Sequence, residues 1–193
     1  MHKLTSILAC AAMLLVTSHS TMAASPGDTY IGIGFSQLTY SENGFPDFNP
    51  TMLGFRAGYY VNDNFSVEGR LGMGIGDDTN NVSVFIPGSG TFTGDIAVEI
   101  DNIMGIYAVG HLPASDSFGV YGFFGFNNAD ITATATSGGT SYSYSDDDSD
   151  IAYGIGAKLK LSPVSAINLE YGNFYDEDNV TVDAITIGFT TKL

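Results

Sequence analysis

Long apolar runs are missing from this chain. Beyond the first two dozen or so residues, no segment approaches the roughly 18 consecutive apolar residues that mark a membrane-spanning helix. Mean hydropathy is nonetheless slightly positive, at +0.13. Cysteine is nearly missing as well: Cys10 stands alone, so no disulfide framework holds the fold. Tryptophan is absent, and Lys plus Arg number 6 against 21 Asp plus Glu, for a formal charge of −15. A chain this acidic is repelled by phosphate backbones, which excludes nucleic acid as a partner. Histidine is scarce too. Of the 3, His2 and His19 lie in the first stretch, which leaves His111. A serine nucleophile needs a base beside it, so lipid hydrolysis or acyl transfer has little to draw on.

The start of the chain has the order of a secretory signal peptide. Lys3 precedes an apolar stretch at 7–16, and Thr21-Met22-Ala23 forms a small-x-small cleavage site. Residues 1–23 are expected to be removed, leaving 24–193 as one domain. Cys10 sits at the beginning of the apolar stretch instead of after it, the wrong place for a lipidated cysteine.

What remains alternates with a period of two, which predicts strands. Eight are expected: 29–40, 51–60, 65–75, 97–110, 118–127, 151–161, 166–174 and 180–193. Most approach the ~9–11 residues that a tilted strand needs to cross a bilayer. Short connections (61–64, 111–117, 162–165) alternate with mostly longer ones rich in Gly, Ser, Thr, Asn and Asp (41–50, 76–96, 128–150, 175–179). Short turns at one end and long loops at the other predict an all-β, eight-stranded antiparallel up-and-down transmembrane barrel, with both termini in the periplasm.

The two faces of each strand support this over a soluble sandwich. On 65–75, Phe65, Val67, Leu71, Met73 and Ile75 share one face, and Ser66, Glu68, Arg70, Gly72 and Gly74 the other. A face so rich in glycine suits the crowded inside of a narrow barrel. The segment Tyr59-x-Val-Asn-Asp-Asn-Phe-Ser-Val-Glu68 resembles the second hairpin of the small outer-membrane β-barrel family that includes OmpA- and OmpX-type proteins. The end, Asp183-Ala-Ile-Thr-Ile-Gly-Phe-Thr-Thr-Lys-Leu193, resembles that family's closing strand, although Leu193 stands where the family usually has Phe or Trp. The resemblance implies location in the bacterial outer membrane, contact with its lipid and lipopolysaccharide, and recognition of the last strand by the outer-membrane assembly machinery.

Charges on the inward face are Arg56, Glu68, Arg70, Glu99, Asp101, Lys158, Lys160 and Glu170. Buried charges persist only when paired, so an ionic plug is expected, with Glu68 opposite Arg56 and Glu170 opposite Lys158. Eight strands enclose only enough room for side chains. No cofactor pattern and no metal-ligand spacing is present. Asp146, Asp147, Asp148 and Asp150 lack the turn glycine and distal glutamate of an EF-hand loop. With Tyr142 and Tyr144, they make 128–150 the candidate surface for a ligand or host molecule. A structural or surface-interaction role is the first reading. Gated transport of small apolar compounds past Tyr60, Tyr107, Tyr121 and Phe123 is the alternative, with lipid modification third.

Overall fold

The computed structural model describes residues 25–193 apart from positions 87, 89 and 178; the expected signal peptide therefore lies outside the described residues. Among the described residues nine strands follow in order: β1 (Thr29–Glu42), β2 (Thr51–Asn62), β3 (Phe65–Gly76), β4 (Asp78–Ile86), β5 (Gly90–Pro113), β6 (Phe118–Ser137), β7 (Thr140–Lys160), β8 (Ser165–Glu177) and β9 (Val180–Lys192). All pairings are antiparallel. Eight strands close a ring, because β3 pairs with β5 and β1 with β9, while β4 pairs with β5 alone. Within the barrel wall, closure removes the sheet edges that would otherwise recruit other chains.

The walls are inside out relative to a soluble protein. Ile33, Phe55, Leu71, Met104, Ile106, Phe126, Ile155, Leu169 and Ile187 point outward and are exposed, while Glu68, Glu170, Asn168 and Ser66 are buried. Tyr59, Phe65 and Phe118 add exposed aromatic rings towards one end. An outer belt of this kind is stable only against lipid. Inside, missing side chains make room for large ones. A Cβ on Gly58 would fall 2.1 Å from the Tyr30 ring, and one on Gly156 would fall 2.3 Å from Tyr121.

Three of the strands run well past their expected ends. Within 76–96 and 128–150, expected as loops, 78–86, 90–96 and most of 128–150 are instead β-ladders: β4 with the upper part of β5, and the upper parts of β6 and β7. Together they form a four-stranded sheet raised above the rim. Polar Thr and Ser alternating with Ala and Tyr suit a ladder as well as a loop, since Thr and Tyr both favour strands. The two-residue turn Gly138-Gly139 closes the β6–β7 hairpin with φ of 58° and 81°. Positive φ at both positions is the hairpin turn whose twist matches the strands.

Candidate functional site

The lumen is layered along the barrel axis. Its middle layer is ionic. Arg56 donates from both terminal nitrogens to Glu170, at 2.5 and 2.8 Å. Arg70 donates through Nε to Glu68 at 2.7 Å and reaches Glu170 at 3.3 Å. The charges balance as two against two, all nearly buried, with side-chain exposures of 3–10%. Tyr121 donates to Glu170 at 2.7 Å, and the Arg70 guanidinium stacks over Phe123 and Tyr107, 4.3 and 4.7 Å from their ring centres. Beyond it, Tyr107 and Phe123 pack edge to face, and Leu38, Met52, Ile100, Ile103, Phe174 and Val182 fill the far end. A void of about 40 Å³ lies between the ionic and apolar layers.

Four of the eight expected lumen charges thus meet: Arg56, Glu68, Arg70 and Glu170. Their pairing differs from the expected one. Arg56 lies opposite Arg70, and Glu68 opposite Gly58, a register two residues away from the one expected. Glu170 lies opposite Gly156, and Lys158 opposite Asn168. Arg56 comes no nearer to Glu68 than 3.9 Å. Register within one face is invisible to alternation, because a slip of two keeps every side chain on its side.

Glu99 and Asp101 are not lumen residues. Both are exposed. A β-bulge between Ile100 and Asn102 inserts Asp101 as an extra residue against β6. Below the bulge, odd-numbered residues (Ile103, Tyr107, Val109) are buried, and above it even-numbered ones (Val98, Ile100) are. That inversion turns Glu99 and Asp101 outward. Asp101 there accepts a hydrogen bond from Thr132 at 2.6 Å.

Nearer the end that carries both termini, the sequence reading missed a chain of polar groups. Tyr30 donates to Glu68 at 2.6 Å, contacts Ser66 Oγ at 2.8 Å, and Ser66 in turn contacts His111 Nε2 at 2.9 Å. Tyr30 has one proton and gives it to the carboxylate, so Ser66 donates to Tyr30 and accepts from His111. With its proton committed to Tyr30 and a donor at its back, Ser66 is not set up as a nucleophile. His111, expected in a turn, lies within β5 and stacks at 5.1 Å on Tyr60 and 5.9 Å on Tyr121. The signal that was present is the inward parity shared by Tyr107, Val109 and His111. Lys158 and Lys160 line the cavities at this end.

The raised sheet carries the other candidates. Its outer face is a hydroxyl ladder: Thr132–Ser145, Thr134–Ser143 and Thr136–Ser141, each at 2.8 Å. Tyr142, Tyr144, Asp146, Asp148 and Asp150 share the other face, and Asp147 lies with the serines. Tyr142 and Tyr144 are 75% and 68% exposed. Asp148 accepts from Tyr175 Oη at 2.9 Å and Asp150 from the Asp176 amide at 2.8 Å. Among the described residues, no three His, Cys, Asp or Glu converge as metal ligands do. Alternation along a strand spreads the acids over two faces and spaces those on one face by about 7 Å.

Comparison with known proteins agrees with this geometry. Residues 8–192 match the outer membrane protein beta-barrel domain. The chain belongs to that family, and its place is the bacterial outer membrane. OprG from Pseudomonas aeruginosa is similar in fold, with a TM-score of 0.60 and 18% identity over 90% of this chain and 99% of that one. Ail of Yersinia pestis gives 0.58 and 22% over 87% and 99%. Neisserial surface protein A gives 0.54 and 14% over 86% and 97%. No curated sequence is a significant match.

Proposed function

We propose that this barrel is a surface-interaction protein whose working part is the raised sheet. It is exported with residues 1–23 removed, and both termini face the periplasm. The short turns then lie in the periplasm and the raised sheet stands outside the cell, as in outer-membrane barrels generally. The closing strand, with Ile185, Ile187 and Phe189 outward, supplies the alternating apolar signal for the assembly machinery.

One observation carries the reading. Residues 140–152 of β7 ladder with β6 on one side and, among the described residues, have no partner strand on the other, since the β7–β8 pairing begins at Tyr153–Asn173. An open strand edge presents unpaired N–H and C=O groups, the feature that accepts an added strand from a partner. Tyr142 and Tyr144 flank this edge as exposed anchors of the kind binding surfaces use.

Charge narrows the partner. Ail has been seen in complex with a heparin analogue, sucrose octasulfate. Here the raised strands carry Asp and Glu with no Lys or Arg, so a polyanion is repelled and a neutral or cationic surface segment is favoured. Lipopolysaccharide phosphates would need bridging cations to approach this face. A lumen packed with ions and rings weighs against a transport path.

The test uses cells that display the protein. Tyr142→Ser with Tyr144→Ser should reduce adhesion to host-cell monolayers while the amount of folded protein on the surface stays the same. Unchanged adhesion would remove the raised sheet as the working part.

A further inference from the structure

The terminal end of the barrel holds a second site, independent of the raised sheet. A cavity of about 370 Å³ opens there, between the β2–β3 and β5–β6 turns. The Tyr60, His111 and Tyr121 rings line it, Lys158 and Lys160 contribute their side chains, and Asp63 and Asp116 stand in the turns beside it. Leu112, Phe118 and Val120 border its rim from the outward side of β5 and β6. The Tyr30–Ser66–Glu68 hydrogen bonds and the ionic layer lie inward of these rings, so this is a blind pocket and not the mouth of a path.

Lys158 is the unusual group. Arg56, Arg70 and Lys192 each meet a carboxylate within 4 Å. Lys158 meets none at that distance among the described residues. It donates to Tyr60 Oη at 3.4 Å, and its ammonium lies 5.6 and 5.7 Å from the ring centres of Tyr30 and Tyr121. Ring faces attract a cation but do not replace a counter-ion. An ammonium has three protons to donate, and one long bond to a phenol leaves two of them. A part-buried charge is costly unless paired. This one is held beside an open, partly apolar cavity.

We propose that this vestibule binds a small organic carboxylate with an apolar or aromatic body, its carboxylate on Lys158. The volume falls within the ~300–1,000 Å³ usual for small-molecule pockets. The Tyr60, His111 and Tyr121 rings take the body, and their faces beside Lys158 fit a planar group. Asp63 and Asp116 disfavour a second negative charge, so a monoanion fits better than a phosphate dianion. With the termini in the periplasm, the ligand comes from that side. Binding here does not depend on what the raised sheet does.

The test is a titration of the isotope-labelled full barrel, in lipid nanodiscs at low salt, followed by amide chemical shifts. Benzoate should give saturable shifts at Tyr60, His111 and Tyr121, and none in the raised sheet. Benzyl alcohol, the same ring without the charge, should give none that saturate. Lys158→Gln should weaken benzoate binding at least tenfold, and Lys158→Arg should retain most of it. Equal responses to benzoate and benzyl alcohol on the unaltered protein would overturn the proposal without any variant. An unchanged benzoate affinity in a folded Lys158→Gln protein would overturn it as well.

Discussion

Arg56 reaches across the lumen to Glu170, 114 positions away in the chain, and grips both carboxylate oxygens at 2.5 and 2.8 Å. Its neighbour on the adjacent strand, Glu68, is 3.9 Å away and belongs chiefly to Arg70. The barrel interior is therefore tied between β2 and β8, nearly opposite walls of the ring, as well as between neighbouring strands.

Removing one member of this quartet should cost far more than removing two of opposite sign. Glu170→Ala leaves Arg56 without its partner and Arg70 half satisfied, a loss of roughly 3–5 kcal/mol. Arg56→Met with Glu170→Met keeps the Glu68–Arg70 pair intact and fills the space with apolar side chains, so the loss should be smaller. Urea unfolding in lipid vesicles, read by heat-modifiable gel migration, compares the two. Equal losses would mean that the cross-lumen pair carries no net weight.

The glycine lining of the wall gives a second prediction. Gly156→Ala puts a methyl group 2.3 Å from Tyr121 Cζ, and that ring must move. Moving it breaks the 2.7 Å bond to Glu170. Overpacking of this kind costs about 1–3 kcal/mol, and the lost bond adds to it. Gly69→Ala meets nothing within 4 Å on the outer wall and should be neutral in the same assay. Similar stabilities for the two variants would refute the packing argument.

A third prediction concerns acid. At the terminal end, Lys192 Nζ meets Asp28 at 2.5 Å, beside the backbone bond from Leu193 N to Thr29 O. The hydrogen bond from Lys192 holds the Asp28 carboxyl below its ordinary value. A carboxylate depressed in the folded state contributes stability above its unfolded pKa, and loses it as pH falls through the lower folded value. The β1–β9 end should thus be firm at neutral pH and fray in strong acid. Amide exchange at Thr29 and Leu193 should be slower at neutral pH than the chemical rate predicts, with that protection declining once the pH falls below the ordinary carboxylate range. Asp28→Asn should flatten the dependence. A variant with the same pH profile would show that the pair does not set it.

The sequence was informative where a two-residue period decides, and silent where it does not. The eight ring strands, the exposed apolar belt and the inward places of Arg56, Glu68, Arg70 and Glu170 all follow from parity. Parity cannot see a slip of two, so the residues directly opposite Arg56 and Glu170 on the neighbouring strands were misassigned. It also fails across a bulge, where one added residue turns Glu99 and Asp101 outward with no change in composition. The raised sheet escaped for a different reason. Thr, Ser, Gly and Asp serve loops and exposed strands alike, and what fixes 128–150 as a hairpin is cross-strand pairing, Thr132 with Ser145 and Thr134 with Ser143. The His111–Ser66–Tyr30 chain joins three strands, so no local pattern announces it.

That hairpin supplies the last prediction. Ile131 and Asp146 are ladder partners, and so are Ser137 and Thr140 around the Gly138-Gly139 turn. Deleting 132–137 and 140–145 brings the same two glycines between Ile131 and Asp146, with strand register and face preserved. Below this cut, the ladder of β6 with β7 continues from Ile131 to Phe118 and that with β5 runs from Ile131, across the bulge at Asp101, to Gly119, and Asn127, Ala129 and Ala152 stay in the lumen. The barrel should fold and keep its heat-modifiable migration, since shortening a connection lowers closure entropy only slightly and the ring's pairing is untouched. The upper part of β5 loses its β6 partner but keeps β4. Adhesion that depends on the open edge of β7 or on Tyr142 and Tyr144 should disappear. If the shortened protein does not fold, the raised sheet is part of the barrel's own stability and not a platform upon it. If it folds and adheres as before, the working surface lies elsewhere, and the remaining hairpin-end segments, 43–50 and the β4 edge, become the places to look.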